Sequence, residues 1–210
     1  MSGSYNRNMK AALLAMLLLP ATIRAGEARP EPTRPGLSWA AADALAKRFD
    51  EMEARVKRHE APAQGTVLVR DGELNSWLNL TLAPKLPPGL TDLTVRFERD
   101  RVSATGNVDL DQIPIKSAAG SGFNPLSFLG GSVPVELRAR LTTEAGFGTV
   151  VPEDVRIASI PLPSAAVAQI VAQATRTKEN PQGFDVLSPF RLPYSAKRVR
   201  LQPGKAFLEF

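Results

Sequence analysis

The sequence predicts an α+β protein with one long amphipathic helix, two shorter helices and about six antiparallel strands. Three observations carry this. Apolar residues recur every three or four positions from Trp39 to Val56. Strictly alternating segments occur in pairs, at Asp92–Glu98 with Arg101–Asp109 and again from Val133 onward. Short polar turns join these segments, as antiparallel hairpins require.

Taken in order, Gly26–Gly36 holds three prolines among alternating charges, which predicts an extended tether. Ser38 is an N-cap residue for the first helix. There Trp39, Ala42, Leu45, Phe49, Met52 and Val56 form one apolar face opposite Asp43, Lys47, Asp50, Glu51 and Lys57. The mixed charge of the polar face favours docking on the protein's own sheet over lying on a membrane. Thr66–Val69 is a short strand. A second helix runs from Glu73 to about Leu82, with Leu74, Trp77, Leu78 and Leu82 inward and Pro84, Pro87 and Pro88 stopping it.

In the first hairpin Leu93, Val95 and Phe97 alternate with polar residues, answered by Val102, Ala104, Gly106 and Val108. In the second, Val133, Val135, Leu137, Ala139 and Leu141 alternate, and the chain returns through Val155 and Ile157. Pro163-Ser164 opens a third helix with Val167, Ile170, Val171 and Ala174 on one side. A last hairpin turns at Pro203-Gly204, and Phe210 reads as the end of a core-facing edge strand. No internal repeat and no second-domain boundary is visible, so residues 38–210 read as one domain after a linker at 26–37.

The first 25 residues have a different logic. Arg7 and Lys10 precede the apolar run Ala11–Leu19, Pro20 breaks it, and Ala25 precedes Gly26. This is the order of a cleaved secretory signal, and the run is too short to span a bilayer, which needs roughly 20 residues. The expected location is therefore periplasmic or secreted. Three of the 26 bases lie in this segment with no acid, so 23 bases remain against 21 acids, a net of +2. Bases and acids are interleaved, and no Lys/Arg run with aromatic partners marks a nucleic-acid site. A mild attraction to anionic membrane surfaces stays open. The absence of cysteine excludes disulfides, thiolate chemistry and a lipobox anchor.

Chemical motifs are scarce. His59 is the single histidine and lies at a charged helix end, which suits solvation better than catalysis. Asp109 and Asp111 share a strand face, but no third metal ligand is near them in sequence. No phosphate-binding glycine loop or nucleophile motif occurs. No enzyme activity and no cofactor are expected. Lys116–Ser132 mixes four glycines with Phe123, Leu126, Phe128 and Leu129, and reads either as cover for the core or as a mobile gate over an apolar cavity.

The order Val67-Leu68-Val69, then Glu73-Leu74-Asn75-x-Trp77-Leu78, then the hairpin Leu93–Leu110 and Ile160-Pro161-Leu162-Pro163 before the late helix resembles the tubular lipid-binding (TULIP/SMP-like) superfamily, in its small single-unit bacterial envelope form. The likeness covers most of residues 38–210. It implies a strongly curved antiparallel sheet wrapped around the long helix, with lipid acyl chains held between them. Candidate lining residues are Leu93, Val95, Phe97, Phe123, Phe128, Val135, Leu137, Val167 and Ile170, each of which serves equally as ordinary core. The expected function is a lipid carrier or chaperone of the envelope, with lipid or another apolar ligand as partner. The alternative is an envelope scaffold whose core is filled.

Overall fold

The computed structural model describes residues 29–60, 65–86, 88–112, 130–174, 176 and 181–210. The expected signal segment lies outside them, as do Phe123, Phe128 and most of the glycine-rich stretch.

The protein is α+β; the described residues form a six-stranded antiparallel sheet, a smaller three-stranded sheet and three α-helices. Helix α1 spans Trp39–Lys57, and its face Ala42, Leu45, Ala46, Phe49 and Met52 is buried. The apolar stripe ends one turn early, since Val56 is 40% exposed. The helix stops where His59 takes φ 55°. The His59 amide donates to the Val56 carbonyl at 3.1 Å and the Glu60 amide to the Arg55 carbonyl at 3.1 Å. This is a Schellman closure with histidine where glycine is usual, so the single histidine terminates a helix.

Strand β1 (Thr66–Arg70) leads directly into helix α2 (Asp71–Ser76), which widens into a π-helix at Trp77–Leu82 and ends in a 3₁₀ turn at Ala83–Lys85. The Glu73 carboxylate accepts the Arg70 amide at 2.9 Å, closing the first turn of α2. Strands β2 (Leu90–Glu98), β3 (Arg101–Asp109), β4 (Ser132–Glu144) and β5 (Phe147–Ile157) follow as an antiparallel meander. Two-residue strands β6 (Ile160–Pro161) and β7 (Phe190–Arg191) pair with opposite ends of β5. Helix α3 spans Ser164–Ala174. The chain closes with β8 (Arg198–Gln202) and β9 (Lys205–Glu209).

The last hairpin pairs with β1, across most of the chain's length, to give the order β1–β9–β8. Strand β9 is therefore central, which corrects the expectation that Phe210 ends an edge strand. Its sequence alternates like any half-buried strand, and alternation does not report position within a sheet. The main core lies between α1, the α2–π-helix, the small sheet and the hairpin end of the large sheet. Phe49 is at its centre, edge-on to Trp77 at 5.3 Å and stacked with Tyr194 at 6.0 Å. Phe184, Val186, Phe190 and Leu192, from a stretch without periodicity, are also buried there.

The described part of the N-terminal segment, from Arg29, bends at residues 33–36, where Gly36 takes φ 84°, and is docked where a free tether was expected. Arg29 donates to both oxygens of Asp43 at 2.8 and 2.9 Å and stacks over Trp39 at 4.6 Å. The Trp39 indole donates back to the Pro30 carbonyl at 2.8 Å.

Candidate functional site

The apolar face of the large sheet is built in rows set by its register. Phe97, Val102 and Ala139 form one row, Val95, Ala104, Leu137 and Val155 the next, then Gly106, Val135 and Ile157, and finally Leu90, Val108 and Val133. Leu93 folds over Gly106, where an added Cβ would meet its Cδ2 at 2.8 Å. Only glycine lets the side chain lie that close to the sheet.

This face is divided. Val95 and Phe97 belong to the main core. At the far end Val108, Leu110 and Ile157 form a second cluster, with Leu90, Val133, Val135, Ile160, Leu162 and Ile170 packed against it. Val155 and Val167 are buried and Leu93 and Leu137 half-buried, yet none of these four joins either cluster. Leu137 and Val155 are paired neighbours on β4 and β5, Leu93 lies over Gly106, and Val167 is on α3. Of the residues expected to line a lipid site, Leu93, Leu137 and Val167 are among these four. Val135 and Ile170 pack against the second cluster, and Val95 and Phe97 lie in the closed core. Phe123 and Phe128 lie outside the described residues.

A groove of about 310 Å³ opens beside this end of the sheet. Leu37, Leu80, Ala83, Leu86 and Leu90 supply its apolar wall, and Arg34 and Asp92 its charge. Leu90 links the two features, since it lines the groove and also packs on the second cluster. The docked N-terminal segment forms one side. Its latch is Arg34, which donates to the Leu93 carbonyl at 3.3 Å, to Asn79 Oδ1 at 3.4 Å and to Thr94 Oγ1, with Asp92 4.0 Å away.

The free edge of β2 is closed by side chains. Asp71 Oδ1 accepts the Phe97 amide at 3.0 Å. Asn75 accepts the Val95 amide at 2.7 Å and donates to the Val95 carbonyl at 2.9 Å. Asn79 donates to the Leu93 carbonyl at 2.7 Å. Four helical residues rise about 6 Å and two strand residues about 6.6 Å, so residues 71, 75 and 79 match 97, 95 and 93. In a pure α-helix the row would drift about 40° at each step. The π turn carries more residues per turn and reverses that drift, which keeps Asn79 facing the strand. Sequence reasoning missed this ladder and the Arg34 latch. The signal for the ladder is a polar row at four-residue spacing on an otherwise apolar helix; Arg34 carries none.

Asp109 and Asp111, the carboxylates singled out from sequence, bond to the local loop. Asp109 accepts the Asp111 amide at 3.0 Å and the Gln112 side chain at 2.6 Å, while Asp111 accepts the Gly131 amide at 3.0 Å. Glu153 is held by Arg101 and Arg140 at 2.6 and 2.9 Å, and these hydrogen bonds lower its pKa. Burial raises the pKa of Asp71, opposed by its bond from Phe97 and by Arg96. Among the described residues no three acidic or histidine side chains gather as a metal site. No helix there is long and apolar enough to cross a membrane. Comparisons with protein-family models, with curated proteins and with solved structures give no match.

Proposed function

We propose that this chain is an exported envelope protein that binds a lipid or another apolar chain without catalysis, in the manner of the small tubular lipid-binding proteins it resembles. The observation that carries the reading is the open, apolar-walled groove of about 310 Å³, which meets the second apolar cluster of the large sheet at Leu90. The groove's volume falls at the lower end of ordinary ligand sites. Each buried methylene contributes roughly 0.8 kcal/mol, so about ten of them give ~8 kcal/mol before ordering costs. Curvature of the large sheet around the long helix and cleavage before Gly26 belong to the same proposal.

Uptake of a fluorescent fatty acid tests it, with Val135→Trp and Phe97→Ala as paired variants. Val135→Trp should weaken uptake and leave the ligand-free melting temperature near that of the wild type. Phe97→Ala should cost about 3–5 kcal/mol, as truncation of a core aromatic does. The second reading, a scaffold with a filled interior, is favoured by the closed packing around Val95 and Phe97. It requires no uptake at all and a loss of about 1–3 kcal/mol for Val135→Trp from overpacking.

A further inference from the structure

The outer face of the small sheet differs in charge from the outer face of the large sheet. Register sets Thr66, Glu209 and Arg198 in one row, Leu68, Phe207 and Arg200 in the next, and Arg70, Lys205 and Gln202 in the third. The opposite face, with Val69, Leu201, Ala206 and Leu208, is buried in the main core, so these rows face outward. Four of their residues are cations and one is an acid. Arg200 stacks over the Phe207 ring at 4.4 Å and meets Glu209 at 3.1 Å. Arg70 lies 3.8 Å from Glu73, a carboxylate already taken by Arg48 at 2.7 Å. Arg198 and Lys205 are exposed and form no ion pair among the described residues.

The outer face of the large sheet shows what a neutral surface of this protein looks like. Arg101 and Arg140 share Glu153, Arg138 faces Glu98 at 3.6 Å, and Arg156 meets Asp154 at 3.2 Å. The outer face of the small sheet therefore carries an excess of positive charge on a rigid surface, around a half-buried apolar centre of Leu68 and Phe207.

We propose that this face docks the protein on an anionic lipid surface, with Arg70, Arg198, Arg200 and Lys205 against lipid phosphates. Charge complementarity selects an anionic partner. The cations are spread over three strands in two dimensions, which fits a plane of headgroups. A single-stranded nucleic acid needs open aromatic platforms for its bases, and here Arg200 covers Phe207. The proposal is separate from cargo binding, because no residue of this face lines the groove.

The test is vesicle flotation of the purified full chain. The wild type should float with vesicles rich in phosphatidylglycerol and not with pure phosphatidylcholine. Binding should fade between about 0.1 M and about 1 M salt, as the screening length falls from ~10 Å to ~3 Å. A basic residue at such a surface is worth about a fivefold change in partition, so R198A/K205A should weaken binding roughly 30-fold. The control R138A/R156A removes the same charge from the large sheet and should change binding less than about twofold. Fatty-acid uptake should be the same in all three proteins, which keeps this result distinct from the cargo reading. Equal losses in both double variants, or equal binding to neutral vesicles, would overturn the proposal. So would a loss confined to binding of a polynucleotide or heparin.

Discussion

Asn75→Ala removes the central rung of the side-chain ladder on β2. The wild-type amide satisfies both polar groups of Val95, at 2.7 and 2.9 Å, in a half-buried setting. Each hydrogen bond contributes about 1 kcal/mol net, and a buried backbone group left unpaired costs about 1–3 kcal/mol. Partial access of water to the edge limits the sum, so a loss of about 2–3 kcal/mol is expected. For a domain of this size that lowers the melting temperature by about 5–10 °C. Asn79→Ala should cost less, about 1 kcal/mol, because Arg34 already donates to the same Leu93 carbonyl at 3.3 Å. Urea denaturation of both variants supplies the comparison, with unchanged slopes showing that the folded states are alike. An Asn75→Ala loss under about 0.5 kcal/mol, or a reversed order of the two variants, would show that the edge of β2 does not depend on the ladder.

Three further outcomes follow from single residues. His59→Gly should stabilise by about 0.5–1 kcal/mol in thermal melts, since it relieves a left-handed backbone at a helix stop; a destabilised variant would give the imidazole a role that the Schellman closure does not require. Asp71 has a raised folded pKa, so its contribution to stability is complete below its unfolded pKa and is lost as pH rises through the folded value. Asp71→Asn keeps an acceptor for the Phe97 amide and removes this titration, so the variant should gain on the wild type as pH rises through the carboxylate range, read by denaturation at several pH values. A stability difference independent of pH would contradict the burial effect. Arg34→Ala frees the N-terminal segment from β2, and hydrogen exchange at the Leu37 and Ser38 amides should quicken about tenfold. Unchanged exchange would mean that Arg29 and Trp39 hold the segment alone.

Much of this fold is legible in the sequence because its elements are amphipathic and local. The face of α1, the two hairpins of the large sheet and the Pro163-Ser164 start of α3 follow from periodicity and turn chemistry. The pairing of β1 with β9 is not legible, since it joins Thr66 to Glu209 and depends on tertiary closure. The core contribution of Phe184, Val186, Phe190 and Leu192 is hidden for a related reason: an irregular segment presents apolar residues without a period. At the site, alternation correctly assigned side chains to the inner face. It does not separate Phe97, sealed in the core, from Leu137, which lies in neither cluster, because both have the same pattern and differ only in what packs above them.

The bulge in β5 bears on how the molecule behaves at high concentration. Register slips between Arg138 and Ala139, leaving Glu153 as the extra residue beside Pro152. Among the described residues the outer side of β5 is paired only at its ends, by β6 and β7, so its middle is an edge of the large sheet. There proline lacks an amide proton and the bulge bends the strand. With β2 closed by Asn75 and its neighbours at the other side, neither margin of this sheet can template another strand. At this sheet, the edge-to-edge stacking that seeds amyloid is therefore disfavoured when copies of the protein are crowded together.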